Sequence, residues 1–332
     1  MKRLLSLLVS LLILALIYWK VDLKSLWQVF RQCNGGWMVV SLGMVVPITL
    51  MTAWRLQQLM PPRQSTVEAG ALEVTPRGLS LVEANRLILA ASTLNMVLPS
   101  KMGDIAKAYF MQQRGHLAGS LALSLVIFEK TCDMLSLLVW CGFGLVLYPY
   151  KDGLFWGMTG GVVGGLVFGG ALLGSRSLAQ AFFYTAQAIA PKSLRAKLAR
   201  FQTAWREMHD YFWHNRAQLL TVAATSIFIW FLHLLQIWFF ILALNAWAPL
   251  LANLALSPLA ILAGLLPLTF AGVGTRDAAL ILFYRPYFDG ATAAALGILC
   301  TSRYLMPAIA GLPFLGQYLT NLRQIKKQMG RV

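Results

Sequence analysis

The amino-acid sequence predicts an all-α, polytopic membrane protein. Of its 332 residues, 58% are hydrophobic and only 12% are charged, and the mean hydropathy is +0.65. Soluble domains are about 45–50% apolar and about 25% charged, so a soluble fold of this length could not bury so much apolar surface. Several apolar windows also reach the roughly 20 residues that cross a bilayer core. Lipid is therefore the expected solvent.

The apolar windows predict about six full transmembrane helices. The first, 4–19, follows two basic residues as a secretion signal would. However, Tyr18-Trp19-Lys20 stands where a cleavage site needs small residues, so we expect this helix to be retained. The other predicted spans are 37–59, 118–148, 154–174, 219–245 and 291–320.

The distribution of lysine and arginine predicts the orientation of these helices, because basic residues concentrate in cytoplasmic loops. The linkers 55–86 and 175–217 and the carboxyl-terminal tail are basic, whereas 149–153 holds one Lys and 246–255 holds no basic residue. Both termini are therefore expected in the cytosol, and the protein in the cytoplasmic (inner) membrane. The chain is predicted to be a single integral membrane domain, 1–332, with a cytosolic loop at 60–86.

Two other apolar segments, 87–110 and 256–284, are interrupted by Pro, Gly and charged residues. Given the predicted orientation, each must begin and end on the same face of the membrane. We therefore predict two broken, re-entrant helical hairpins that enter from opposite sides. Two full crossings are the alternative, and they would place the basic 175–217 linker outside. The two segments resemble one another weakly, so an inverted repeat is possible.

The first broken segment contains a candidate anion site. Pro99 and Gly103 would end one half-helix, and Asp104 would begin another. Irregular backbone at membrane depth must be buried in protein or face a wet cavity, and free N–H groups at a helix start favour a phosphate. The alternative is a short interfacial loop whose lysines only follow the charge rule. The predicted headgroup ligands are Asn95, Lys101, Gly103, Asp104 and Lys107.

The second broken segment repeats this logic. Gly272 and Gly274 would free the backbone, and Arg276 would hold phosphate beside Asp277 at a helix start. The alternative, equally open, is a self-satisfied pair of Arg276 and Asp277 that caps the helix.

A third cluster of charges interrupts the predicted span 118–148. Glu129 and Asp133 are four residues apart and share a helix face, with Lys130 three residues before Asp133. Charged residues at membrane depth are costly and usually face a partner or water. The two carboxylates are predicted to carry protons or to hold an arginine, for which Arg303 is the candidate. A purely structural ion-pair network is the alternative.

The linker between 191 and 216 has the pattern of a basic amphipathic helix on the cytosolic surface. We expect it to anchor the protein to anionic lipid, and the alternative is that it admits a lipid headgroup. Its apolar stripe comprises Leu194, Leu198, Phe201, Trp205, Met208 and Phe212.

Motifs of other functional classes are missing from the sequence. No metal-ligand cluster, phosphate loop, nucleotide fingerprint or Ser/His/Asp arrangement at meaningful spacing is present. The four cysteines show no CxxC spacing, so we expect them to serve in packing. The net charge of +16 follows from the cytoplasmic loops and does not indicate a nucleic-acid partner. We accordingly predict no cofactor, no metal and no catalytic activity.

Three stretches resemble the flippase-like membrane family that includes the transmembrane region of lysylphosphatidylglycerol synthases. They are "NMVLPSKMGDIAK" (95–107), "VIFEKTCDML" (126–135) and "PLTFAGVGTRDAAL" (267–280). The sequence departs from the family pattern at Lys130, where Arg is usual, at Asp277, where Glu is usual, and at Phe270-Ala271, which replace Pro-Gly. The resemblance implies lipid translocation or a companion role to lipid-modifying enzymes.

The expected function is therefore movement of an anionic phospholipid or a polyprenyl-phosphate-linked lipid between leaflets. Lys101, Lys107 and Arg276 would hold its phosphate. Glu129, Lys130, Asp133, Asp277 and Arg303 would set the charge of the cavity, exchange protons or form ion pairs. One alternative is a non-catalytic membrane partner of a glycosyltransferase or lipid-modifying enzyme. Another is a membrane-embedded lipid transferase with Asp104 or Glu129 as general base.

Overall fold

The computed structural model describes residues 23–60, 79–97, 103–113, 119–265 and 274–329, and within these ranges it contains helices and no strand. This confirms the all-α prediction. The helices are α1 Leu23–Arg31, α2 Gly35–Gly43, α3 Val45–Leu59, α4 Leu81–Val97, α5 Gly103–Gln113, α6 Gly119–Leu147, α7 Gly153–Gly174, α8 Arg176–Ile189, α9 Lys192–His214, α10 Arg216–Ala243, α11 Leu250–Leu265, α12 Thr275–Tyr284, α13 Gly290–Ser302 and α14 Leu305–Met329.

Four stretches of the described chain are helical, long and apolar enough to cross a membrane. They are Gly35–Leu59, Gly153–Gly174, Arg216–Ala243 and Gly290–Tyr318, and each matches a predicted span. The predicted span 118–148 is α6, a 29-residue helix whose apolar sequence is interrupted by charges. The predicted span 4–19 lies outside the described residues.

The outer surface of α7 is apolar. Only 6% of its most apolar window is buried within the protein. Val163, Val167 and Phe168 are each more than half exposed. A contiguous apolar surface of this kind would aggregate in water, so it is suited to contact with lipid tails.

Residue contacts divide the chain into two compact units, each with its own apolar core. The first unit takes its described residues from Met1–Ile48, Met134–Val167 and Ile227–Met306. The second takes its described residues from Thr49–Asp133, Phe168–Ser226 and Pro307–Val332.

In the second unit, α4 and α5 pack against each other on either side of the first predicted break. Gly103, the first residue of α5, lies against the backbone of Ala91 and Asn95 in α4. At the far end, the Tyr318 hydroxyl donates to Glu83 at 2.8 Å, and its ring stacks on Phe110 of α5 with centroids 4.7 Å apart. The end of α5 therefore lies beside the start of α4, as in an antiparallel hairpin.

The helix before this break is longer than predicted. It begins at Leu81, so residues 81–86 of the predicted 60–86 loop are helical, while the cytosolic location of this segment stays a prediction. Arg86 places its guanidinium carbon 5.7 Å from the centroid of the Phe314 ring. Residues 61–78 of the predicted loop lie outside the described part of the chain.

In the first unit, α11 and α12 form a similar pair around the second predicted break. The Tyr284 hydroxyl, at the end of α12, donates to Asn253 Oδ1 at 2.9 Å near the start of α11. The two helices are therefore antiparallel. Gly144 of α6 lies against the carbonyl of Ala255, where a Cβ atom would not fit. Whether the two hairpins are re-entrant stays a prediction.

The predicted amphipathic helix at 191–216 is α9, and part of its apolar stripe is covered by protein. Trp205, Met208 and Phe212 are buried, and Phe212 stacks on Phe128 of α6 with ring centroids 4.6 Å apart. Leu194, near the start of the helix, is 46% exposed. Only the first part of the stripe is therefore open to lipid. Its cytosolic location stays a prediction.

Candidate functional site

A network of six charged side chains lies in the second unit, and its centre is Arg55. The Arg55 Nη2 atom donates to Glu129 Oε1 at 2.9 Å, and its Nη1 atom donates to Asp133 and to Ser226 Oγ, the latter at 2.9 Å. Arg55 and Glu129 are each 1% exposed. One guanidinium thus binds both carboxylates of α6, and its pair with Glu129 is closed to solvent.

Glu129 has a second cationic partner. Lys107 of α5 donates from Nζ to Glu129 Oε2, and Lys107 is only 2% exposed. Glu129 therefore uses one oxygen for the arginine and the other for the lysine. Since Lys107 is committed to Glu129, it can hold a lipid phosphate, as predicted, only after this ion pair opens.

The other end of the network is more open. Lys130 Nζ lies 3.3 Å from Asp104 Oδ2 and 3.5 Å from Asp133 Oδ2. The Lys130 side chain is 44% exposed, while Asp133 is 23% and Asp104 is 14% exposed. The network therefore runs from a closed end at Arg55 to an accessible end at Lys130.

Close packing of the α4–α5 hairpin positions two members of this network. A Cβ atom at Gly103 would overlap the Ala91 carbonyl and the Asn95 side chain, so only glycine permits this approach. Asp104 follows directly in the first turn of α5, and Lys107 lies one turn further on. The predicted role of Gly103 as a headgroup ligand remains untested, whereas its packing role is visible.

The sequence left two alternatives for these charges, a purely structural ion network and a functional site. The balance of charges is compatible with both. Three cations face three carboxylates, so the network has no net formal charge. Taking the buried charges of Arg55, Lys107 and Glu129 out of water costs several kcal/mol per ion before pairing offsets it, which makes this part of the network a poor source of stability. Charges at membrane depth are typical of transport pathways, and that this network lies at such a depth stays a prediction.

The other two headgroup ligands predicted at the first break, Asn95 and Lys101, are not part of this network in the described residues. Asn95 is half-buried, and its Oδ1 atom has no hydrogen-bond partner among the described residues. Lys101 lies outside the described residues.

The second predicted site, in the first unit, is internally satisfied. Arg276 donates from Nε and Nη2 to Asp277 Oδ1 at 3.0 and 2.6 Å, and from Nη2 to the Gly297 carbonyl at 2.9 Å. Asp277 Oδ2 accepts from the Gly274 N–H at 3.1 Å and so caps α12, while Gly274 has a φ of 101°. This is the self-satisfied pair that the sequence left open. Gly272 lies outside the described residues.

Arg303 was predicted as the candidate arginine for the α6 carboxylates, and within the described second unit Arg55 holds both of them. Any role of Arg303 beside them stays a prediction. Arg55, Lys107 and Lys130 are the cations within 4 Å of Glu129 and Asp133 in the described chain. Arg303 instead follows α13 in the first unit and donates from Nη2 to the Tyr304 hydroxyl at 2.9 Å.

Arg55 was not predicted as a site residue, because it was assigned to a basic linker. Two features of the sequence point to it. Leu56 and Leu59 continue the apolar pattern beyond Arg55, which indicates that the helix does not end there. Two carboxylates one turn apart in a membrane helix also require a cation at a similar depth.

With this geometry established, comparison with known proteins identifies the family. The family model of the lysylphosphatidylglycerol synthase TM region matches residues 3–311. The chain belongs to this family. A search of curated proteins and a search of solved structures each found no match.

Membership of the lysylphosphatidylglycerol synthase TM family confirms the resemblance and makes the chain a helical, multi-pass membrane protein. The match includes every predicted site residue from Asn95 to Arg303, and it includes Arg55 as well. The charge network and both hairpins therefore belong to the family's membrane region.

Proposed function

We propose that this member of the lysylphosphatidylglycerol synthase TM family moves an anionic lipid between leaflets of the cytoplasmic membrane. Its substrate is a phospholipid or a polyprenyl-phosphate-linked lipid, which it releases covalently unchanged and without a cofactor. Both termini of the chain face the cytosol. The observation that carries the proposal is the ion network of the second unit, with a closed end at Arg55 and an accessible end at Lys130.

The accessible end is suited to receiving a phosphate. Lys130 is the most exposed cation of the network, and its contacts with Asp104 and Asp133 are long, at 3.3 and 3.5 Å. Long, partly exposed ion pairs are weaker than closed ones, so a phosphate oxygen can replace either carboxylate at Lys130 at a lower cost than at Arg55.

Further into the network, a phosphate is expected to replace a carboxylate beside each cation in turn, so that no cation is left without an anion. An unpaired ion at depth costs several kcal/mol, so a headgroup advances only if each cation it meets keeps an anion beside it. Lys107 is the next cation, because Asp104 at the open end and Lys107 share the first turns of α5. In this mechanism Lys107 exchanges Glu129 for the phosphate and then returns to Glu129.

The test is lipid movement in vesicles that contain the purified full-length protein. Fluorescent phosphatidylglycerol is placed in both leaflets, and a membrane-impermeant reductant reports which molecules reach the outer leaflet. Wild-type protein is expected to expose the protected pool, and Lys130→Gln to reduce that rate at least about tenfold, equivalent to about 1.4 kcal/mol in the barrier. Arg31→Gln, a change at an exposed arginine of α1, is the matched control and should transport normally.

Three outcomes would contradict the proposal. Equal rates for Lys130→Gln and wild type would remove Lys130 from the pathway. A changed lipid mass after incubation would favour a membrane-embedded transferase. Wild-type protein that moves no phosphatidylglycerol or polyprenyl phosphate alone, yet co-purifies with a lipid-modifying enzyme or glycosyltransferase, would favour the partner role.

A further inference from the structure

Arg303 of the first unit is a buried cation with unused hydrogen-bond donors. It caps the end of α13, and the residue is 5% exposed. Its Nη2 atom donates to the Tyr304 hydroxyl at 2.9 Å. Its Nε and Nη1 atoms are shielded from solvent and have no hydrogen-bond partner among the described residues.

No carboxylate of the described first unit is available to neutralise this guanidinium. The acidic residues of that unit within the described ranges are Asp152, Asp277 and Asp289. Asp277 is held by Arg276 and the Gly274 N–H, as described above. Asp152 and Asp289 each accept from a backbone N–H in the first turn of a helix, at 2.9 and 2.8 Å. Arg303 therefore differs from all three cations of the second-unit network, each of which has a carboxylate partner.

The immediate surroundings of Arg303 compensate its charge only in part. The carboxyl end of α13 carries a partial negative charge that favours a cation, and the guanidinium carbon lies 4.9 Å from the centroid of the Tyr304 ring. Neither feature supplies an acceptor to Nε or Nη1. Buried donors left without acceptors are costly, and guanidinium groups match the oxygens of a phosphate well.

Arg303 also lies close to the second hairpin. Arg276, in the first turn of α12, donates to Thr301 Oγ1 at 2.6 Å, two residues before Arg303. Arg276 is paired with Asp277, whereas Arg303 has no carboxylate partner among the described residues, so one positive charge is in excess near the start of α12.

We propose that Arg303 forms a phosphate-binding site in the first unit, with Nε and Nη1 donating to phosphate oxygens. The phosphate belongs to a lipid headgroup or to a soluble phosphate ion. In its lipid form the proposal rests on the transport function proposed above and adds a second headgroup contact, distinct from the ion network of the second unit.

The test measures thermal unfolding of the full-length protein by tryptophan fluorescence. In one arm, detergent-purified protein is titrated with potassium phosphate against potassium chloride at equal ionic strength. In the other arm, nanodiscs of phosphatidylcholine are compared with nanodiscs that also contain phosphatidylglycerol, in phosphate-free buffer. A ligand that binds only the folded state raises the unfolding temperature as its concentration rises.

Wild-type protein is expected to gain stability in at least one arm, and that arm identifies the source of the phosphate. Arg303→Gln should lose the gain. Arg303→Lys, which keeps the charge and loses the planar fork, should need at least about tenfold more phosphate for the same gain. Arg285→Gln, at an exposed arginine of the same unit, is the matched control and should respond as wild type. If Arg303→Gln does not fold, Arg303→Lys alone provides the comparison.

Failure of this inference is distinguishable from failure of the transport proposal. Absence of stabilisation in both arms, or an undiminished gain in Arg303→Lys and Arg303→Gln, would overturn the Arg303 site. Transport that depends on Lys130 would be untouched by that result. Conversely, phosphate binding at Arg303 without lipid movement would overturn only the transport function.

Discussion

Replacement of Glu129 by glutamine should destabilise the protein strongly, although it only replaces one carboxylate oxygen by an amide NH2 group. Glu129 gives one oxygen to Arg55 and the other to Lys107. A glutamine side chain keeps one acceptor oxygen but turns an NH2 group, a donor, toward one of the two cations. It also leaves two cations, each no more than 2% exposed, with one carboxylate fewer between them.

The magnitude follows from the burial of the pair. Removing one partner of a buried ion pair costs about 3–5 kcal/mol, because the remaining charge stays buried without compensation. We expect Glu129→Gln to lower the free energy of unfolding by this amount. The assay is chemical unfolding in mixed micelles, followed by tryptophan fluorescence. Glu207→Gln, at an exposed glutamate of α9, is the matched control and should change the free energy of unfolding by less than about 0.5 kcal/mol.

A second variant tests whether the effect of Glu129→Gln comes from its ion pair with Arg55. Arg55→Met should also destabilise, and the double variant Arg55→Met, Glu129→Gln should cost less than the sum of the two single changes, because both remove the same contact. Refutation would come from a Glu129→Gln effect as small as that of Glu207→Gln, or from additive single effects.

Two other predictions test packing and pH dependence. Gly103→Ala should lower the unfolding temperature of the protein, because the new methyl group would overlap the Ala91 carbonyl. The control is Gly160→Ala, where the methyl group would meet open space and the unfolding temperature should not change. Equal effects of the two substitutions would contradict the close α4–α5 contact. Burial and the nearby Arg176 guanidinium lower the pKa of His209 in α9, which lies outside the candidate spans. Because the unfolded state binds the proton more readily, stability should be full above about pH 6.5 and fall as the pH drops below it. His209→Gln should flatten that part of the profile, and an unaltered profile would exclude His209 as its cause.

The helices were largely predictable because apolar length in lipid is a strong local signal. Gly153–Gly174 and Arg216–Ala243 follow from apolar runs alone. Breaks near Gly103 and Gly274 also follow from local sequence, because glycine and proline interrupt helices whatever surrounds them. The helical structure of residues 81–86 was not predicted because Glu83 and Arg86 resemble loop residues, although in the structure they contact Tyr318 and Phe314 of α14.

The partners within the site were less predictable, because they depend on which helices meet. Glu129 and Asp133 were recognisable from their four-residue spacing, but nothing local distinguishes Arg55 from Arg303 as their partner. The contact between Arg55 and Glu129 joins residues 74 positions apart in the chain. Likewise, the spacing of Arg276 and Asp277 allowed either a ligand pair or a cap, and only the bonds to Gly274 and Gly297 distinguish the two.

The most direct test of the proposed site is native mass spectrometry of lipids retained by the protein after gentle detergent extraction. Lys130 is 44% exposed, so we expect Lys130→Gln to keep a fold comparable to that of wild type and to be purified alongside it. The proposed phosphate site at Lys130 predicts that wild type retains a phosphate-bearing lipid and that Lys130→Gln retains much less of it. Equal retention by both proteins, or retention of neutral lipid alone, would contradict it.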